Sequence, residues 1–211
     1  MLSVYYVDGS QLRQSGQHMN SLFRYSCFIT VILVLPQLVS AQVLADLFGF
    51  SQAADASNWQ IVNDGVMGGR STSQAKIVET TSGESAMRFR GNLSLQNNGG
   101  FASVRSRPTG SLGLDPGESI VLRVKGDGRR YTFNLYTPSR RTAFSYQMDF
   151  ETKADHWTEV RLPVNKFVAH SFGRRMPNMR LTPSQVQSVG ILLGDKKPGP
   201  FEILVDWIRI D

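Results

Sequence analysis

The sequence predicts an all-β fold, a β-sandwich of the jelly-roll kind, on three observations. Apolar residues recur with a period of two, the runs they form are short, and clusters of turn-forming residues separate them. No window carries a long amphipathic helix. In Met87–Gln96, Met87, Phe89, Leu93 and Leu95 fall on one side with Gly91 among them, and Arg88, Arg90, Asn92, Ser94 and Gln96 on the other. Ile120, Leu122 and Val124 alternate with Arg123 and Lys125. Tyr131, Phe133 and Leu135 alternate with Thr132 and Asn134, and Phe144, Tyr146, Met148 and Phe150 with Ser145, Gln147, Asp149 and Glu151. Phe201–Asp211 closes the series with Ile203, Val205 and Trp207. Turns are expected at Asn97–Gly100, which reads as a hairpin, and at Asp115–Gly117, Gly126–Gly128, Thr137–Pro138 and Lys197–Pro200. Roughly nine to eleven strands result, the number of a sandwich. Short helices are expected only within Asp46–Ala56 and as one turn from Thr182.

The bulk composition fits such a core. Of 211 residues, 41% are hydrophobic and 19% charged, which places the chain among globular proteins. The formal net charge is +6, with the charges scattered rather than in runs, so the surface suits an anionic partner without specifying one.

The first 41 residues read as a leader. Arg24 precedes the apolar run Cys27–Val39, and Val39-Ser40-Ala41 supplies small residues of the kind a signal peptidase reads. The run is shorter than the about 20 residues of a comfortable membrane span. Met19 can serve as the start, which makes 1–18 a mis-assigned extension or a disordered tail and 19–41 a secretory signal peptide. Residues 42–211 then form one domain with no cysteine, since Cys27 is the only one and leaves with the leader. On this reading the protein is exported, to a periplasm or cell envelope, and has no membrane span after cleavage.

Residues fit for catalysis are sparse. Beyond the leader the chain has only His156 and His170, and no HxH, HExxH or GxSxG pattern. Asp149 and Glu151 are two apart on one strand face, whereas a glycosidase pair flanks a cleft. There is no dinucleotide fingerprint, and Arg105, Arg107, Arg129, Arg130, Arg140 and Arg141 with Tyr131, Tyr136 and Tyr146 match no nucleic-acid motif. The expectation is a binding domain, not an enzyme, with no cofactor, no metal and no nucleic acid. The most unusual stretch is Trp59–Ser71, WQIVNDGVMGGRS. It lacks the helix and Lys-Ser/Thr pair of a phosphate loop. It reads either as a glycine-shaped loop that lets two backbones approach, or as a loop displaying Asn63, Asp64, Arg70 and Ser71 to a ligand or partner. Asn97 and Asn98, and the Asp127–Arg129 turn, carry the same two readings.

Several of these blocks stand in an order that resembles a known family. Val62-Asn63-Asp64-Gly65-Val66-Met67-Gly68-Gly69 follows Trp59 and is itself followed by Phe89-x-Gly91 and Leu95-x-Asn97-Asn98-Gly99-Gly100-Phe101-Ala102-Ser103-Val104-Arg105. Arg123–Arg129, Tyr131, Trp157, Gly190-Ile191 and Gly199-Pro200-Phe201 complete the series. Together they resemble the complex I intermediate-associated protein 30 family, from about Leu47 to Asp211. The resemblance implies a galactose-binding-like jelly roll. It also implies a chaperone-like assembly factor that binds intermediates of NADH:ubiquinone oxidoreductase, although the mitochondrial members work on the matrix side and carry no secretory leader. Two expectations follow. One is a protein-interaction patch built from Asn63–Ser71 and Asn97–Gly100 with Arg105 nearby, for an assembly intermediate or an envelope protein. The other is a carbohydrate-binding module of the envelope, with Tyr136, Tyr146 and Trp157 as a platform for a glycan.

Overall fold

The computed structural model describes residues 46–139 and 143–211, so the expected leader and the Arg140-Arg141 pair lie outside the described residues. In chain order the strands are β1 (Asp46–Gly49), β2 (Trp59–Ile61), β3 (Thr72–Glu79), β4 (Ser85–Leu93), β5 (Ala102–Ser106), β6 (Ser119–Lys125) and β7 (Arg130–Tyr136). They continue with β8 (Phe144–Glu151), β9 (Trp157–Pro163), β10 (Val168–Ser171), β11 (Arg174–Arg175), β12 (Ser188–Leu193) and β13 (Gly199–Ile210). They make two antiparallel sheets. The first runs β3-β4-β13-β6-β9 with β1 also on β13, and the second β11-β10-β8-β7-β12-β5-β2.

The alternation builds the core. Met87, Phe89, Ile120, Leu122, Val124, Ile203 and Val205 of the first sheet and Val104, Phe133, Leu135 and Ile191 of the second are fully buried. Each such side chain stabilises by about 1.5–3 kcal/mol, which is why the period of two holds along these strands. It breaks once in β13. The register slips between Val205 and Trp207, so Ile208 takes the core position and Trp207 moves outward, where the Arg209 guanidinium lies 4.0 Å from its ring centroid.

Two local expectations change. Asp46–Ala56 is not a helix: Asp46–Gly49 pairs with the far half of β13, and a short 3₁₀ helix follows at Ala53–Asn58. Tertiary pairing wins here, with the Phe48 and Phe50 rings 5.2 and 5.6 Å from that of Trp59. The turn Asn97–Gly100 is not a hairpin, because β4 and β5 belong to different sheets. It carries the chain from one layer to the other, as do Gly126–Gly128 and Lys197–Pro200. The single turn expected from Thr182 is a 3₁₀ turn at Pro183–Gln185.

Candidate functional site

Three of these sheet-crossing segments, 62–71, 94–101 and 194–199, meet at one end of the sandwich. Asp64 joins the first two. Its side chain has no solvent exposure. Oδ1 accepts the Ser71 N–H at 2.9 Å, and Oδ2 accepts the Ser71 hydroxyl at 2.5 Å and the N–H groups of Gly100 and Phe101 at 2.7 and 3.3 Å. Burial pushes its pKa up, but these donors outweigh it: the Ser71 hydroxyl and the backbone N–H groups of Gly100, Ser71 and Phe101 hold the carboxyl below its ordinary value. Two glycines make room. A Cβ on Gly69 would lie 2.3 Å from the Asp64 Cγ, and one on Gly99 2.6 Å from Oδ2. Ser71 extends the tie, because its hydroxyl accepts the Ser94 N–H at 3.0 Å. The third segment joins through Gly194, where a Cβ would be 3.7 Å from the Gly100 carbonyl oxygen and 3.9 Å from the Phe101 Cβ.

The sequence-predicted residues divide accordingly. Asp64 and Ser71 are buried ties. Asn63 is half-buried and its Oδ1 accepts the Ser73 hydroxyl at 2.7 Å. Arg70, Asn97 and Asn98 are exposed, with both asparagines left-handed at φ 55° and 58°. Arg105 stands apart on the outer face of the second sheet, its guanidinium carbon 4.7 Å from the Tyr136 ring centroid and its Nε buried without a hydrogen-bond partner. Burial there pushes the Tyr136 phenol up to about 12, against the pull of the Arg105 charge and hydrogen bond.

Asp127 and Arg129 hold the β6–β7 crossing. Asp127 accepts from the Tyr131 hydroxyl at 3.1 Å and the Glu202 N–H at 2.9 Å. Arg129 donates twice to Asp195, at 3.0 and 2.6 Å, and also to the carbonyls of Pro200 and Lys197. Burial pushes Asp195 up, yet the Arg129 hydrogen bond and charge bring its carboxyl down overall. This pair anchors segment 194–199 from below.

The structure does not bring the three aromatic candidates together. Tyr146 is in the core with its hydroxyl donating to the Arg180 carbonyl, Tyr136 is on the outer face of the second sheet, and Trp157 is on the first sheet beneath Arg123. His156 and His170 each place Nδ1 near a backbone carbonyl, and Asp149 accepts from the Thr132 hydroxyl. Among the described residues, no group of three His, Cys, Asp or Glu is placed to hold a metal, and no helix is long and apolar enough to cross a membrane.

What the polar reading of the loop passed over is apolar. Val66 is 73% exposed, Met67 53% and Leu95 44%, and all three sit on the segments that Asp64 ties together. Ile61, at 38%, precedes them on the edge strand β2. A signal was present in Val66-Met67, an apolar pair set between glycines in a turn, where neither residue continues a strand pattern.

Comparison with known proteins places the geometry. The complex I intermediate-associated protein 30 family model matches residues 48–205, which include both tied segments. The mouse (Mus musculus) protein named complex I intermediate-associated protein 30, mitochondrial, is 29% identical over 181 residues, 76% of this chain. The chain spans about half of that relative's length, 54%. The Neurospora crassa protein of the same name is 25% identical over 229 residues, 90% of this chain and 82% of its own. Among solved structures, the family 11 carbohydrate-binding module of the Clostridium thermocellum cellulase Lic26A-Cel5E superposes with a TM-score of 0.59 at 16% identity, over 79% of this chain and 92% of its own. A family 30 carbohydrate-binding module gives 0.53 at 15%, over 79% and 97%. At such identities the likeness shows the fold, a β-sandwich of the galactose-binding-like kind. The relatives' names also overturn the expectation of an exported, periplasmic or envelope protein, for they are mitochondrial. The expectation of export rested on the apolar run Cys27–Val39, which lies outside the described residues. From its two tied segments to its sandwich, the chain belongs to the complex I intermediate-associated protein 30 family.

Proposed function

We propose that this is a non-catalytic protein-binding domain, and that it serves in a mitochondrion as an assembly factor for respiratory complex I, as its relatives' name implies. One observation carries the reading. Segments 62–71 and 94–101 are fastened by a buried carboxylate, and beside Arg70, Gln96, Asn97 and Asn98 they hold three apolar side chains out to solvent, Val66, Met67 and Leu95. Apolar side chains held out by a rigid turn have a use in covering a partner's apolar surface and none in acid–base chemistry.

The test is co-purification from detergent-solubilised mitochondria with the tagged full chain as bait. The unchanged protein should retain complex I subunits. The double variant Val66→Asp, Met67→Asp should lose at least about tenfold in recovery, the effect of removing two central contacts. Its melting temperature should stay within a few degrees, since both side chains are exposed. Equal recovery by the double variant would remove the crest from the reading. Recovery of no complex I subunit by the unchanged protein would remove the assembly role.

A further inference from the structure

The charge around the apolar crest says what kind of partner fits it. Segments 61–71, 94–101 and 194–199 contain two acidic residues, Asp64 and Asp195. Asp64 is buried with its oxygens taken by backbone and hydroxyl donors, and the Asp195 side chain is 4% exposed against Arg129. Every carboxylate of the three segments is thus consumed inside the fold. The cations are not. Arg70, Lys196 and Lys197 are exposed, and none lies within ion-pair distance of a described carboxylate, although the Lys197 charge does act on Asp195. Arg70 adjoins Ser71, which is bonded to Ser94 beside Leu95. Lys196 and Lys197 adjoin Pro198 and Gly199, which share with Ser94, Leu95 and Gln96 a shallow groove of about 520 Å³. Lys196 has a left-handed backbone at φ 61° and the Lys197 carbonyl accepts from Arg129, so the backbone that carries these cations is tied to the fold.

We infer that the partner is a protein segment with an apolar stripe flanked by acidic side chains, which seats its stripe on Val66, Met67 and Leu95 and its acids against Arg70, Lys196 and Lys197. The inference rests on the protein-binding reading above and adds the partner's chemistry. Unscreened like charge in a partner opposes docking, whereas complementary acids speed encounter and fix register. A membrane surface fits less well. The crest is a few side chains interleaved with the amides of Gln96, Asn97 and Asn98, which suit directional acceptors, and not a broad amphipathic helix face.

The probes are synthetic. One is an amphipathic peptide of about 18 residues, five helical turns, with a leucine stripe flanked by glutamates. A second has lysines for the glutamates, and the third is a vesicle of phosphatidylcholine with cardiolipin. Binding to the full chain is read by fluorescence anisotropy and by amide NMR shifts. The glutamate peptide should bind, shift residues 65–70, 95–98 and 196–197, and weaken as salt rises. Val66→Asp, and separately Arg70→Glu with Lys196→Glu and Lys197→Glu, should each weaken it about tenfold. Equal binding of the lysine peptide, no effect of charge reversal, shifts confined to other surfaces, or binding of vesicles in place of the peptide would each overturn the inference. The two readings separate in the co-purification assay. If charge reversal leaves complex I subunits bound, the acidic partner is wrong and protein binding stands. If the unchanged protein recovers none, the assembly role is wrong while the peptide result is unaffected.

Discussion

Asp64 is an ionised group with no exposure and no cation in contact, held by hydroxyl and backbone N–H donors alone. Such donors favour the anion, and an anion so held depends on all of them at once. Asp64→Asn keeps the shape but turns an NH₂ group toward groups that are themselves donors. The expected loss is about 3 kcal/mol, read as a lower urea midpoint. The pH dependence has a definite sign. The folded pKa lies below the ordinary value of 3.8, so the site's contribution is fully present above pH 3.8 and is lost as pH falls through the lowered folded value. Acid titration of stability should therefore be shallower in Asp64→Asn than in the unchanged protein. Asp195 lowers its pKa for a different reason, its Arg129 partner, and remains as a common background in both. The sequence made Asp64 stand out but not its role, because its partners Gly100 and Phe101 lie 36 and 37 residues away. An aspartate between asparagine and glycine looks like any turn residue until the second turn is brought against it.

At the scale of the loop, glycines that look alike in the motif do different work. Gly69 lies against the Asp64 carboxyl, whereas a Cβ on Gly65 would meet nothing within 4 Å. Gly69→Ala should cost about 2 kcal/mol or more by forcing the tie apart, and Gly65→Ala should stay within about 0.5 kcal/mol. Thermal unfolding of the pair checks this, and equal effects would mean that the loop yields as a whole. Strand elements were legible for a plain reason: wherever Phe, Leu and Val alternate with polar residues, as in β6, β7 and β8, burial of one face leaves little choice. Their connections were not. Asn97–Gly100 has the residues of a hairpin, since left-handed asparagines serve any tight turn, and only the pairing of β4 with β13 and of β5 with β12 shows that the chain changes layer there. Trp207 follows Ile203 and Val205 at the same period of two, yet it faces outward for a related reason. A bulge inverts the alternation without leaving a mark in composition.

Across the whole molecule, the two ends of the described chain secure each other. β1 covers the part of β13 that β4 does not reach, pairing Asp46 with Arg209, Phe48 with Ile208 and Gly49 with Trp207. Removing residues 46–50 would bare that edge and uncover Trp59, with Phe50, only 2% exposed, lost from the core. At least about 3 kcal/mol should go with it, and the shortened protein should aggregate at concentrations the longer one tolerates. Static light scattering beside a denaturant titration reads both. A further consequence follows from where β13 sits. It lies between β4 and β6, yet it is made after both. Any process that delivers the chain in order from its amino end, whether a ribosome or a translocation pore, therefore presents the first sheet as two separated halves with facing edges unpaired. That interval lasts from Lys125, where β6 ends, until β13 is complete at Ile210, and through it the open edges are free to pair wrongly.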